Sequence, residues 1–159
     1  LDIKIENFLY MIKNFKGLPY RLERIHKDHN LEIINNSKAT NLNASLKSIE
    51  IYDNIILILG GRTEEKNFKR ILDFKKKINK VYLIGEVSIK IYNQLKNEID
   101  CEICDNLLKT INKIFLDIRN KSIFQTILFS PACTSFDQFK NFEERGEYFT
   151  KLIVKKLNE

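Results

Sequence analysis

A chain of 159 residues with 43% apolar side chains can bury a proper core as one domain, and its formal charge of +6 raises the question of a nucleic-acid partner. The origin of the charge argues against that partner. Ile (24), Lys (21) and Asn (17) fill 62 positions and Arg only 6, so the basicity is a chain-wide skew without aromatic interleaving. No run approaches the roughly 18 apolar residues of a membrane span and no signal peptide is recognisable.

In chain order, Ile5, Phe8, Leu9, Ile12 and Phe15 recur at helical spacing over residues 3–15, and Gly17 and Pro19 end that helix. Two short β-like runs follow, Arg21–His26 and Leu31–Ile34, joined by a polar turn. A helix is predicted from Asn41 to Tyr52 with Leu42, Leu46 and Ile49 inward. The run IILILG (55–60) then fits a strand buried on both faces. Beyond it the pattern alternates: helix 67–78, strand 81–85, helix 87–98, short strand 99–104, helix 105–119, strand 124–130, helix 143–157. The run Lys75-Lys76-Lys77 falls late in the 67–78 helix, where cations suit the C-terminal dipole. Strands alternating with helices of this length predict an α/β fold, a Rossmann-like open and mainly parallel sheet with helices on both faces.

In such sheets ligands bind beyond the carboxyl ends of the strands. Three unusual segments fall there: NNSKATN after Ile34, GGRTEEKNF after Leu59 and SPACTSFDQFKNFEERG after Phe129. In the first, the free N–H groups of a starting helix, a lysine (Lys38) and a hydroxyl (Thr40) can receive an anion. The plain alternative is a helix cap by Thr40 or Asn41 beside a surface lysine. The pair Gly60-Gly61 permits positive φ or close backbone approach, or serves a tight turn. Ser135, Phe136 and Phe142 line a pocket or form a packed loop.

Three cysteines without a pairing pattern suit a reducing, cytoplasmic setting. Cys101 and Cys104 form a lone Cys-x-x-Cys without a second pair or a nearby His, which reads as strand packing rather than a metal site. Cys133 has no general-base partner in sequence and reads as packing. His26 and His29 read as surface turn residues.

Together GLPYRLE (17–23), INNSKATN (34–41), ILGG (58–61) and SPACTSFDQFKNFEERG resemble, in order and spacing, the motifs of the Mur ligase family. They match best the C-terminal domain of its members that add D-glutamate during peptidoglycan synthesis. The match runs from about residue 17 to the end, and between 62 and 125 the strand–helix pattern alone carries it. The resemblance implies residues 17–159 as a C-terminal domain and 1–16 as the tail of a central ATP-binding domain. The chain opens on Leu1 rather than Met, in keeping with a piece of a longer protein.

It further implies a monomeric enzyme that uses ATP and Mg²⁺ to phosphorylate the carboxylate of UDP-MurNAc-L-alanine, after which the amine of D-glutamate attacks the acyl phosphate. The metal ligands and the phosphate-binding loop would lie in the central domain, and the fragment alone would be inactive. By the same resemblance Lys38 is catalytic, at the phosphate or acyl-phosphate region. Arg21, Asn36 and Tyr20 contact ATP; Thr40, Ser135 and Phe142 (through its backbone) hold D-glutamate.

Three positions depart from the family pattern. Asn36 stands where the family has Asp, Tyr20 where it has His, and Glu64 where a cation usually grips D-glutamate. Lys66 is the first choice to replace that cation and Arg62 the second. Asn36 and Glu64 also keep open a non-catalytic nucleotide- or amino-acid-binding module, or a ligase with another amino-acid substrate.

Overall fold

The computed structural model describes residues 4–15, 17–119 and 123–159. The predicted helix start at residue 3 lies outside them. Among the described residues six strands form one sheet: β1 (Glu23–Lys27), β2 (Leu31–Asn35), β3 (Ile55–Gly60), β4 (Ile78–Ile84), β5 (Cys101–Ile103) and β6 (Gln125–Phe129). Their order is β1-β2-β6-β3-β4-β5, with β1 antiparallel to β2 and every other pairing parallel. The helices are α1 (Ile5–Asn14), α2 (Leu42–Ile49), α3 (Ser88–Leu95), α4 (Leu107–Ile118) and α5 (Phe142–Leu157). The mainly parallel α/β sheet expected from the alternation is what forms.

The two faces of the sheet carry two cores. Leu42, Leu46 and Ile49 of α2 and Ile91 and Leu95 of α3 pack with Leu57, Leu59, Val81 and Leu83 on one side. On the other, Leu107, Ile111 and Ile114 of α4 and Phe149 and Ile153 of α5 pack with Ile56, Ile58, Ile127 and Phe129. Side chains alternate across a strand, so only a strand covered on both faces is apolar throughout. All six residues of β3, a continuous apolar run, are accordingly buried; all five of β6 are buried too, Gln125 and Thr126 among them.

One predicted helix takes another form. Residues 68–74 make a 3-10 helix, Phe68–Phe74, and β4 starts at Ile78 rather than Val81. Phe68, Ile71 and Phe74 recur every three residues, the repeat of a 3-10 turn, and all three face the same core. An α-helix to residue 78 would withhold Lys77 and Ile78 from the sheet, where the Lys77 carbonyl accepts the Ile55 N–H and Ile78 pairs with Ile55. Lys75 is instead paired with Glu98, and Lys77 with Asp53.

The chain enters by the β1–β2 hairpin, crosses by α2 to β3, continues to β4 and β5, and returns by α4 to insert β6 between β2 and β3. The carboxyl ends of β2, β6 and β3 therefore stand side by side, and the three unusual segments leave from them. Helix α1 stands apart: it buries none of its residues, and Ile5, Phe8, Leu9, Met11, Ile12 and Phe15 are all exposed.

Candidate active site

The turn after β2 is built by asparagines. The Asn35 side chain accepts the Ser37 N–H at 3.1 Å and donates to the Gly146 carbonyl at 2.8 Å, tying the turn to α5. Thr40 N–H donates to the Lys38 carbonyl at 2.8 Å, so the chain doubles back before Asn41 caps α2 through the Ala44 N–H. Of the two cap candidates, Asn41 takes the task, and the Thr40 hydroxyl remains outside the cap. Lys38 emerges half-buried at the apex, its ammonium 3.8 Å from the centroid of the Phe142 ring.

Two clefts meet at Lys38 and Thr40. One, of about 340 Å³, is lined by Lys38, Thr40, Thr134, Ser135, Phe136, Asn141, Phe142 and Glu143. The other, of about 380 Å³, is lined by Arg21, Leu22, Asn36, Lys38, Ala39 and Thr40, by Asn41, Ala44, Lys47 and Ser48 along α2, and by Ile51 just past its end. The second cleft carries three cations and no carboxylate on its walls. It also opens at the N-terminus of α2, whose partial positive charge adds to theirs. Such a cleft suits phosphate, a polyanion with several acceptor oxygens. The first combines aromatic residues (Phe136, Phe142) with polar ones (Thr40, Thr134, Ser135, Asn141), one cation (Lys38) and one carboxylate (Glu143), a lining suited to orienting a small polar molecule.

What holds these walls together is a residue to which sequence reasoning gave no role. Arg145 of α5 is the largest fully buried side chain, 1% exposed. Its guanidinium donates to the Ser37 hydroxyl (3.0 Å), the Ser37 carbonyl (2.8 Å) and the Cys133 carbonyl (3.0 Å). Ser37 in turn donates to the Phe142 carbonyl at 2.8 Å. One side chain thus joins the turn after β2, the loop after β6 and the first turn of α5. All three acceptors are neutral, and burial pulls the Arg145 pKa down to about 10. The available signal was its place on the apolar face of α5, in series with Phe142, Phe149 and Ile153.

The other predicted positions divide. Asn36 is buried and uses both ends of its amide, accepting the Leu22 N–H (3.3 Å) and donating to the Ser130 hydroxyl (3.2 Å). It thereby sets the Arg21–Leu22 turn against the end of β6 while lining the second cleft. Tyr20 contributes its carbonyl, which accepts the Lys38 N–H at 3.0 Å, but its ring lies over Gly146 of α5. A Cβ on Gly146 would sit 2.5 Å from that ring, so this helical glycine makes room for it. The ring lines neither cleft.

In the loop after β3, both glycines adopt positive φ, and a Cβ on Gly61 would meet the Thr134 carbonyl at 2.2 Å. Close approach is therefore the use of this pair. It lets Arg62 and Thr134 form a two-way backbone bridge, with N–H to carbonyl distances of 3.0 Å in each direction. Arg62 reaches Glu86 with paired contacts at 2.9 and 2.5 Å. Lys66 is exposed, its backbone held by Glu65 and Gln94, and it lines neither cleft. Glu64 is likewise exposed.

Cys133 is fully buried and burial pushes its thiol up to about 12, which keeps it protonated and unreactive near neutral pH. Among the described residues no group of three His, Cys, Asp or Glu side chains is arranged to hold a metal ion. Cys104 is buried beside β5 and Cys101 is half-buried within it. His29 is an exposed turn residue; His26 lies in β1 rather than in the turn, half-buried and 3.0 Å from Asp28. Among the described residues no helix is long and apolar enough to cross a membrane.

No protein-family model matches the chain. Curated proteins do. The chain is 42% identical over 151 residues to a protein of Prochlorococcus marinus named UDP-N-acetylmuramoylalanine--D-glutamate ligase, covering 92% of this chain and 32% of the relative. Proteins of the same name from Rickettsia prowazekii (39% over 153 residues, 96% of this chain, 34% of the relative) and Wolbachia pipientis wMel (41% over 153 residues, 96% and 30%) are similar to it in the same way. The chain spans about a third of the length of the curated relatives it matches.

Proposed function

From its homology, along nearly its whole length, to one third of the D-glutamate-adding Mur ligases, we propose that this chain is the C-terminal domain of such an enzyme. The reaction would be ATP-dependent formation of an amide between UDP-MurNAc-L-alanine and D-glutamate, through an acyl phosphate, in peptidoglycan synthesis. Residues 17–159 would form the domain. The exposed apolar side chains of α1 support assigning 1–16 to the tail of a central ATP-binding domain. Three free thiols suit a cytoplasmic setting, and we take the enzyme to be a monomer.

The observation that carries the reading is the pair of clefts sharing Lys38: an anion-accepting one beside a small polar one. ATP supplies the phosphoryl group, and Mg²⁺ would arrive with it, held by ligands of the central domain. Arg21, with Lys38 and the N-terminus of α2, would face phosphate oxygens, and Asn36 the nucleotide. As the phosphoryl group passes to the substrate carboxylate, charge grows on its oxygens, and a preorganised ammonium at Lys38 lowers the barrier. Thr40, Ser135 and the Phe142 N–H would orient D-glutamate so that its amine meets the acyl carbon. The Asn141 cap takes the Glu144 N–H at 2.8 Å and leaves the Phe142 amide to other acceptors.

A cation for the second carboxylate of D-glutamate would come from the 62–66 loop. Arg62 suits this better than Lys66, because its backbone is bridged to Thr134, which lines the cleft; its guanidinium, paired with Glu86, would exchange that partner for the substrate carboxylate. The test is ADP formation by the full-length protein. Sustained turnover should require UDP-MurNAc-L-alanine and D-glutamate together, beyond the single equivalent of ADP that acyl-phosphate formation releases, and residues 1–159 alone should form none. Turnover indifferent to D-glutamate would favour another amino acid, and no turnover a binding module.

A further inference from the structure

We infer that the aromatic ring of Phe142 is a positioning residue for Lys38, holding its ammonium at the wall between the two clefts; this rests on the ligase reading above. The ammonium lies 3.8 Å from the ring centroid, well inside the reach of a cation–π contact. The ring lines the smaller cleft and Lys38 lines both. A lysine has a flexible four-carbon stem and would otherwise sample many rotamers. A carboxylate could fix it, but would also neutralise the charge that an oxyanion has to meet. The face of an aromatic ring fixes it without taking a hydrogen bond, so its three N–H donors remain for oxyanions.

The backbone beneath the pair is fastened at both ends by one residue. Ser37, which precedes Lys38, donates to the Phe142 carbonyl at 2.8 Å and accepts from Arg145 at 3.0 Å. Ring and lysine therefore keep one relative placement whether or not the clefts are filled. The sequence resemblance gives Phe142 only a backbone contact; the ring is a separate contribution.

The geometry is tested without catalysis in the full-length protein carrying isotope-labelled lysine. The Lys38 ε-methylene protons, assigned by their loss in Lys38→Met, should be shifted upfield by the ring current. The shift should vanish in Phe142→Leu and persist in Phe142→Tyr. The role is tested by turnover. Phe142→Leu should lower kcat about three- to thirtyfold, the range of a partly desolvated cation–π contact, with the D-glutamate KM changed less than twofold. Phe142→Tyr should restore kcat, and in a Lys38→Met background Phe142→Leu should have no further effect. An unshifted Lys38 signal overturns the placement, and an equal fall in kcat with and without Lys38 overturns the role. A full-length protein that shows the shift yet consumes no D-glutamate refutes the ligase reading and leaves the placement standing.

Discussion

Two cations, Arg145 buried and Lys80 half-buried, mark opposite ends of this molecule, and they are satisfied in opposite ways. At the carboxyl edge of the sheet Arg145 has three neutral acceptors, and its pKa is lowered by burial. On the β4–β5 side Lys80 lies 2.8 Å from Glu102, 2.9 Å from Asp117 and 3.8 Å from Asp100, and Asp117 also accepts the Tyr82 hydroxyl. Burial lowers the Lys80 pKa, but its bonds to Glu102 and Asp117 outweigh that and leave it raised. The difference teaches what each end is for. A cation surrounded by carboxylates has spent its field on the fold. Among the described residues Arg145, Lys38 and Arg21 form no ion pair with a carboxylate, and although Glu143 lines the smaller cleft, their charge is left to draw anions to that edge.

The sharpest break of this contrast is Arg145→Ala. It strands the Ser37 and Cys133 carbonyls and opens a cavity, and should destabilise the domain by about 3–5 kcal/mol, read as a lower denaturation midpoint at constant slope. Arg145→Lys, which keeps charge but loses the fork, should recover only part of that. A near-neutral Arg145→Ala would mean that the three segments hold together without the clamp.

Lys38→Ala tests the same edge through chemistry. In the full-length protein it should lower kcat by a factor corresponding to about 3–4 kcal/mol, with a much smaller rise in the D-glutamate KM and little change in stability. A normal kcat with a raised KM would move Lys38 to substrate binding.

At the other end, Lys80→Met should cost about 1–3 kcal/mol of stability and leave kcat unchanged, since its partners are structural and its side chain is only 18% exposed. Its pH signature is more specific. Asp117 is pushed up by burial but held below its ordinary value overall by the Tyr82 hydroxyl and Lys80. It therefore stabilises above about pH 3.9 and loses that contribution as pH falls through its folded pKa. Lys80, raised, stabilises below about pH 10.4 and loses its contribution as pH rises through its own folded pKa. Denaturation midpoints of the wild type should fall at both extremes, and Lys80→Met should flatten the alkaline limb and soften the acid one.

The smallest effects fall on the loop after β3. Arg62→Ala should raise the D-glutamate KM several-fold, and more at low salt than at high, because its exposed charge is screened. Lys66→Ala should leave it unchanged. The reverse order would put the second carboxylate on the far side of that loop.

Much of this was legible in the chain. The continuous apolar run 55–60 identified β3 as a strand buried on both faces, whereas β6, which carries Gln125 and Thr126 into the interior, showed its central place only in the sheet order. The segment 35–41 marked a turn leading into a helix capped by Thr40 or Asn41, and Asn41 is the cap of α2. Less legible was the segment 67–78, whose apolar spacing serves an α-helix and a 3-10 helix alike until the partner of Ile78 is known. The ring of Tyr20, assigned with Arg21 and Asn36 to ATP, was beyond local reading too, since its place over Gly146 depends on a contact across most of the chain.

By itself the sequence determined the order of elements, the parallel sheet and the edge at which the clefts open, because periodicity, caps and turns are properties of neighbouring residues. Only the tertiary structure decided which charges face that edge. Arg62 is claimed by Glu86, 24 positions away, and Arg145 is buried by Ser37, 108 positions away. A charge reads the same in sequence whether solvated, paired or buried. Its state depends on the local dielectric and on acceptors brought near it by folding, and these exist only once the sheet has assembled.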